Sequence, residues 1–239
     1  MKREYHSWHS PRLGRTMEML TFGHGGEPVL LFPTSFGRFW QNEDFGLVGA
    51  LADKINAGRY FVACVDHIDH ETWACHEGHP GIRMHRHEVW ESYLLEEVVP
   101  LLYRKSSGGR LTVGGASFGA FLTGLVGLRH PQVFHRVLSM SGIFETERWL
   151  GGYHDQRVFY HSPFQWLPGL QDDWRLQRMF QQEIILALPE HDHGVVLDSS
   201  KQLSGLLWSK GIGNHLSVWG GFNHDWPVWR QMISHYLPW

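Results

Sequence analysis

Short apolar runs alternate with longer amphipathic stretches along most of the chain. The apolar runs predict strands at residues 28–33, 60–66, 110–115, 135–142, 183–188 and 215–220. Solid runs such as PVLLFP are typical of strands that are buried on both faces of a sheet. Residues 16–22, TMEMLTF, instead alternate between apolar and polar positions, which predicts an edge or antiparallel strand.

The stretches between the strands repeat their apolar residues at helical spacing. They predict helices at residues 44–59, 87–105, 118–130, 199–213 and 225–237. Leu47, Leu51 and Ile55 share one face of the first helix, while Asp44 is placed to cap its start and Gly58 to end it. This alternation predicts an α/β fold, with a mostly parallel central sheet flanked by helices and an antiparallel N-terminal edge.

Two segments depart from the alternating pattern. Residues 67–86 are polar and rich in histidine, glycine and proline, and residues 145–182 are rich in aromatic side chains. No internal repeat, low-complexity tract or linker divides the chain. We therefore predict one domain over residues 1–239, with these two segments as small cap insertions.

Composition narrows the classes of function. Apolar residues make up 42% of the 239 residues, which is enough for a sizeable core. A net charge of −3 without a basic stripe argues against nucleic-acid binding. The polar start predicts no signal peptide, and no apolar run is long enough for a membrane span. Cys64 and Cys75 define no disulfide framework. We expect a cytoplasmic protein, and homo-oligomerisation stays open.

The five residues GASFG, from Gly115 to Gly119, lie between a predicted strand and a predicted helix. Gly-x-Ser-x-Gly in this context is typical of a nucleophile elbow. The turn is so sharp that side chains two residues before and after the serine would collide. It lifts the Ser117 hydroxyl above the sheet and places the Phe118 amide at a helix N-terminus, where negative charge is stabilised. Ser117 is therefore the candidate nucleophile, the alternative being a plain glycine turn.

A serine nucleophile requires a base, and the base requires an orienting carboxylate. The expected chain order is serine, acid, histidine. His224 lies after the last predicted strand and just before the last helix, which makes it the candidate base. Three carboxylates follow the preceding strand, namely Glu190, Asp192 and Asp198. Asp192 is the best placed of them.

An oxyanion hole requires two N–H donors aimed at the developing negative charge. The Phe118 amide is the first candidate. The second should come from the loop TSFG that follows PVLLFP, with the Ser35 amide as first choice and Phe36 as second.

Taken together, PVLLFPTSFG, GASFGAF, HRVLSMSG and FNHDWPVWRQMI resemble an esterase branch of the α/β-hydrolase superfamily. That branch includes esterase D, the feruloyl esterases and the antigen 85 mycolyltransferases. The resemblance implies the α/β-hydrolase fold and a Ser-His-acid triad, which maps onto Ser117, His224 and Asp192. It also implies ester or thioester hydrolysis, or acyl transfer, without a cofactor.

The loops after the strands supply candidate substrate contacts, because such loops line the crevice of an open sheet. Phe36, His67 and Trp73 are these candidates. The histidine-rich segment 66–87 matches no metal-binding spacing, so we predict no metal site.

The prediction is a serine esterase that cleaves a small-molecule carboxylic ester through an acyl-enzyme. One alternative keeps the triad but passes the acyl group to an alcohol or sugar. A second is a non-catalytic binding protein with the same fold.

Overall fold

A computed structural model describes all 239 residues of the chain. Eight strands form one sheet: β1 (Arg3–Ser10), β2 (Arg15–Phe22), β3 (Glu27–Phe32), β4 (Tyr60–Val65), β5 (Thr112–Ala116), β6 (Arg136–Met140), β7 (Glu183–His191) and β8 (Asn214–Asn223). Their order across the sheet is β1-β2-β4-β3-β5-β6-β7-β8. The β1–β2 and β2–β4 pairs are antiparallel and all the others are parallel, which confirms the predicted fold class.

Eleven α-helices accompany the sheet: α1 (Gln41–Asp44), α2 (Ala52–Asn56), α3 (Pro80–Tyr93), α4 (Val99–Lys105), α5 (Phe118–Arg129), α6 (Glu147–Leu150), α7 (Gln156–His161), α8 (Pro163–Trp166), α9 (Asp173–Met179), α10 (Gly194–Ser209) and α11 (Trp226–Tyr236). Short 3₁₀ turns occupy Gly49–Leu51 and Asp69–Glu71, and a π-helical stretch, Leu94–Val98, joins α3 to α4. None of the helices combines the length and apolarity needed to cross a membrane.

The sheet separates two apolar cores, because successive residues of a strand face opposite sides. Leu30 of β3 packs with α3, α5 and α10 on one side, whereas Leu31 packs with α11 on the other. The central strands β3 and β4 are almost wholly buried, which explains their solid apolar runs. Because β3, β5, β6, β7 and β8 run parallel to one another, their carboxyl ends lie at one common edge of the sheet, where the loops that follow them meet.

Strand β1 is absent from the predicted strands. It lies at the edge of the sheet, pairs only with β2, and alternates between exposed and partly buried positions. Since an edge strand can be polar on its solvent face, its sequence REYHSWHS contains no apolar run.

The predicted helix over residues 44–59 is wrong as a single element. Helix α1 ends at Asp44, and Gly46 then adopts φ 77°, a left-handed conformation that ends a helix. Residues 49–51 form a 3₁₀ turn before α2. The predicted apolar face is still buried, with Leu47 and Leu51 both at 0% exposure.

Two other helices begin earlier than predicted. Helix α3 begins at Pro80 rather than residue 87, because the His79 side chain accepts a hydrogen bond from the Gly81 amide and proline suits the first helical position. Helix α10 begins at Gly194 rather than residue 199. Of the two predicted insertions, residues 145–182 contain four short helices, α6 to α9.

Candidate active site

The predicted nucleophile lies on the turn between β5 and α5. Ser117 has φ 55° and ψ −119°, a conformation that non-glycine residues rarely adopt. A Cβ atom on Gly115 would lie 2.6 Å from the carbonyl carbon and oxygen of Gly119. A Cβ atom on Gly119 would lie 2.6 Å from the Pro33 carbonyl oxygen. Both glycines are therefore required for the turn to approach its neighbours this closely.

Backbone strain is concentrated at this edge of the sheet. The non-glycine residues with positive φ are Phe36, Ser117 and Ser141, which follow β3, β5 and β6. Such conformations cost about 1–3 kcal/mol each and are typical of functional sites.

The structure brings Ser117, His224 and Asp192 into contact. His224 follows the last residue of β8, and its Nε2 lies 3.0 Å from Ser117 Oγ. Its Nδ1 lies 2.8 Å from Asp192 Oδ1. The His224 side chain is 21% exposed, whereas that of Asp192 is 1% exposed. The ring therefore reaches the surface between a buried carboxylate and the serine.

The surroundings of Asp192 keep it ionised. Burial raises the pKa of this carboxyl, but hydrogen bonds from His224, from Ser141 and from the His193 amide outweigh it, so the pKa lies below its ordinary value. The His193 amide donates to Oδ1 at 2.7 Å. The other carboxylate oxygen, Oδ2, is buried and has no hydrogen-bond partner within the protein.

The other two acid candidates face elsewhere. The Glu190 carboxylate accepts a hydrogen bond from the Gly221 amide of β8 at 3.0 Å. Asp198 lies inside α10 rather than at its start. Of the three carboxylates, Asp192 is the one that hydrogen-bonds to His224.

Two backbone amides near Ser117 are free to bind an anion. The Phe118 and Ser35 amides donate no hydrogen bond within the protein. The Phe36 amide, the second choice from sequence, donates to Asp69 Oδ2 at 2.6 Å and is therefore occupied. The assignment of Phe118 and Ser35 as oxyanion donors stays a prediction.

A cavity of about 190 Å³ opens beside the serine. Its lining is mostly apolar or aromatic and consists of Ser35, Ser117, Phe118, Phe121, Ser141, Ile143, Trp149, His193 and His224. Five of these residues are not predicted from the sequence, because no motif marks them: Phe121, Ser141, Ile143, Trp149 and His193.

The structure places the three predicted substrate contacts in different positions, with His67 and Trp73 buried and Phe36 on the surface. Phe36 is 66% exposed and lies outside the cavity lining. Trp73 is fully buried and packs edge-on against Phe121, with ring centroids 5.2 Å apart. The His67 ring is buried in the same way behind Phe118, at 5.5 Å. Because Trp73 and His67 lie one layer behind the cavity wall, they support the lining and are not placed to touch a substrate.

Comparison with known proteins supplies the family. No curated protein sequence matches the chain. The model of the family described as "Putative esterase" matches residues 28–239. This chain belongs to that esterase family. The protein is thus a carboxylic ester hydrolase, as the sequence resemblance predicts.

Solved structures agree on the architecture of the esterase. A ferulic acid esterase superposes with a TM-score of 0.78 at 17% identity, over 99% of this chain and 96% of its own. The S-formylglutathione hydrolase of Staphylococcus aureus has a TM-score of 0.74 at 13% identity, over 99% and 97%. MPT51 of Mycobacterium tuberculosis has a TM-score of 0.71 at 16% identity, over 99% and 97%. At these identities the likeness shows the α/β-hydrolase fold alone.

A buried pair holds the loop that carries the Ser35 amide in this esterase. His67 Nε2 donates to the Thr34 carbonyl at 3.0 Å, and Asp69 accepts from the Phe36 amide. The two side chains also contact each other, with His67 Nδ1 3.0 Å from Asp69 Oδ1. Burial raises the pKa of Asp69, but the hydrogen bonds from His67 and from the Phe36 amide lower it by a larger amount. The pKa of Asp69 therefore lies below its ordinary value. His67 and Asp69 therefore fix Ser35 between two anchored neighbours.

Replacing Asp69 by alanine is expected to lower kcat by about 10–100-fold with little change in KM. We expect a smaller loss of kcat than the roughly 10²–10³-fold loss that follows removal of an oxyanion donor itself, because the Ser35 amide remains but is less well positioned. Steady-state kinetics with p-nitrophenyl acetate measure the effect. His70→Gln is the matched control, since the His70 side chain is 59% exposed. An Asp69→Ala enzyme with normal kcat and thermal stability would contradict this role for the pair.

A second layer also supports His224. The Trp229 ring packs edge-on against His224, with centroids 4.9 Å apart and an angle of 87°. Trp229 Nε1 donates to Ser141 Oγ at 3.0 Å. The esterase therefore holds its histidine between a carboxylate on one side and an aromatic edge on another.

Proposed function

We propose that the esterase cleaves its substrate through an acyl-enzyme formed on Ser117. The observation that carries this proposal is the 3.0 Å contact between Ser117 Oγ and His224 Nε2, at a histidine whose other nitrogen meets a buried carboxylate. In this arrangement His224 Nε2 accepts the hydroxyl proton as Ser117 Oγ attacks the carbonyl carbon of the ester. Asp192 accepts a hydrogen bond from the N–H group at His224 Nδ1. It thereby fixes the tautomer of the His224 ring and stabilises the imidazolium that forms.

The negative charge that develops on the carbonyl oxygen requires donors in place before the reaction. The Phe118 amide belongs to the first turn of α5, where the helix dipole also favours negative charge. The Ser35 amide approaches from the loop after β3. Collapse of the tetrahedral intermediate breaks the ester C–O bond, and the imidazolium gives its proton to the departing alkoxide.

The second half of the cycle reverses these roles with water. His224 Nε2 accepts a proton from a water molecule, whose oxygen attacks the acyl carbon. The second tetrahedral intermediate expels Ser117 Oγ, which regains its proton from His224. The products are the free acid and the resting enzyme.

The size and lining of the cavity support a proposal about which part of the substrate it encloses. At about 190 Å³ it is smaller than the 300–1,000 Å³ that is typical of a pocket for a whole drug-sized ligand. Its walls include Phe118, Phe121 and Trp149, which bury apolar groups. We therefore propose that the apolar acyl group enters the cavity and that the alcohol part extends towards the exposed Phe36.

Labelling with a fluorophosphonate probe tests the proposed nucleophile. We expect one covalent adduct per chain, and mass spectrometry of peptides is expected to assign it to Ser117. The Ser209→Ala protein, altered at an exposed serine at the end of α10, is the matched control and should label normally. An adduct on another residue, or ester hydrolysis by a protein that never labels, would contradict the proposal.

A further inference from the structure

A buried cluster of three titratable side chains joins α3 to α7. His87 and Glu91 lie one turn apart on α3, and His161 is the last residue of α7. Their exposures are 1%, 3% and 1%. One nitrogen or oxygen atom from each side chain lies within 4.8 Å of the other two. The catalytic mechanism uses none of them.

The contact between His161 and Glu91 requires a cation. His161 Nδ1 lies 2.8 Å from the Arg157 carbonyl oxygen, to which it can only donate. In the neutral ring, Nε2 then carries a lone pair, and this lone pair lies 3.0 Å from Glu91 Oε2. Two acceptors do not attract each other at this distance. Either a proton on Nε2 or a metal ion must lie between them.

His87 gives a second and independent indication. Its Nε2 is buried and has no hydrogen-bond partner, although an unpaired buried polar atom destabilises the folded state. The His87 ring lies edge-on to His161, with centroids 5.0 Å apart. A buried imidazole nitrogen without a hydrogen-bond partner is available to bind a metal ion.

The other oxygen of Glu91 is already held. Arg129 Nε donates to Oε1 at 3.1 Å, and His130 Nε2 lies 2.7 Å from the same atom. These contacts orient the carboxylate and leave Oε2 to contact His161. The Arg157 carbonyl orients His161 in the same manner. Outer hydrogen bonds of this kind are typical around metal ligands.

We propose that His87 Nε2, Glu91 Oε2 and His161 Nε2 bind one Zn²⁺ ion. Two imidazoles and a carboxylate form a donor set that suits zinc, with bonds of about 2.0–2.2 Å. The spacing of His87 and Glu91, four residues apart on one helix face, allows both to reach one ion. The protein supplies three ligands, and a water molecule completes the tetrahedron.

The position of this site indicates a structural role. Trp73 packs edge-on against His87 at 5.3 Å and against Phe121 at 5.2 Å, and Phe121 lines the substrate cavity. An ion here would fasten α7, part of segment 145–182, to α3 and so hold the back of the cavity wall. It would not touch the ester.

Metal binding is measured on the full-length protein, freed of any affinity tag and stripped with a chelator. Calorimetric titration with Zn²⁺ is expected to give one tight site per chain. Co²⁺ in its place is expected to give the visible absorption of tetrahedral coordination. At 100 times the Kd, Zn²⁺ is expected to raise Tm by about 5–10 °C, since an ion that binds only the folded state stabilises it.

Variants locate the site. His87→Gln is decisive, because His87 Nε2 has no partner in the metal-free fold and its loss should leave that fold intact. We expect Kd for Zn²⁺ to rise at least about 100-fold in this variant and in His161→Gln. His85→Gln, on the same helix with a side chain 59% exposed, is expected to bind like the parent.

Three results would overturn the proposal: no stoichiometric binding by the parent, tight binding that survives His87→Gln, or binding at the other group of suitable residues. That group is Asp192, His193 and His224. Occupation there would block fluorophosphonate labelling, and His193→Gln would restore it. In each case a proton on His161, rather than a metal ion, would account for its contact with Glu91.

Discussion

Replacing Ser117 by alanine is expected to lower kcat/KM for p-nitrophenyl acetate by about 10⁵–10⁶-fold. The substitution removes the proposed attacking oxygen, and the proposed base His224 then has no hydroxyl to deprotonate. We expect activity to stay above the uncatalysed rate, because the proposed oxyanion donors, the Phe118 and Ser35 amides, remain. In serine hydrolases such residual catalysis amounts to about 10³–10⁴-fold over water.

The Ser117→Ala protein is expected to fold normally. Alanine meets the same backbone strain at φ 55° as serine does, and Ser117 Oγ is hydrogen-bonded only to His224. Thermal unfolding beside the parent and beside Ser209→Ala separates loss of chemistry from loss of structure. A folded Ser117→Ala protein with activity within tenfold of the parent would end the case for this nucleophile.

Replacing Asp192 by asparagine is expected to lower kcat by about 10⁴-fold. The asparagine amide can donate a hydrogen bond to His224 Nδ1. The ring then carries its proton on Nε2, which faces Ser117 and can no longer accept the hydroxyl proton. The geometry changes little, so substrate binding should be nearly normal and the effect should fall on kcat.

The two rival carboxylates provide the comparison for Asp192. Glu190→Gln and Asp198→Asn are expected to keep kcat within a few-fold of the parent, because neither side chain contacts His224. Steady-state kinetics of the three variants, measured side by side, rank the acids. If Glu190→Gln or Asp198→Asn lowers kcat more than Asp192→Asn does, the assignment of Asp192 as the acid is wrong.

Much of the fold could be predicted from local pattern, since the buried strands are solid apolar runs and the alternation of apolar and polar residues marks the antiparallel strand β2. The misplaced helices show the limit of this approach. Leu47, Leu51 and Ile55 are buried as predicted, yet apolar spacing does not reveal that Gly46 breaks the helix. The start of α3 had a local signal, a capping side chain before Pro80, but the surrounding glycine and histidine residues suggested a loop.

The candidate site likewise contains residues that could be predicted from the sequence and residues that could not. Ser117, His224 and Asp192 could be selected from chain order, because each follows a strand that ends at the same edge of the sheet. His67 and Trp73 support the cavity wall because the loop after β4 packs against Phe118 and Phe121. The spacing of residues in the sequence does not reveal this packing. His87 and His161 come together only through the packing of α3 on α7, so a search for local ligand spacing could not find them.

The place of β8 in the sheet has a consequence for how long the enzyme stays active. His224 is delivered by an outermost strand, which is bonded on one side only, to β7. Fraying of this edge strand would move His224, the proposed base, away from Ser117, which directly follows the central strand β5 and would stay in place. We therefore expect inactivation on heating to begin at this margin of the sheet, and a reinforced β7–β8 contact to lengthen the time for which the enzyme stays active.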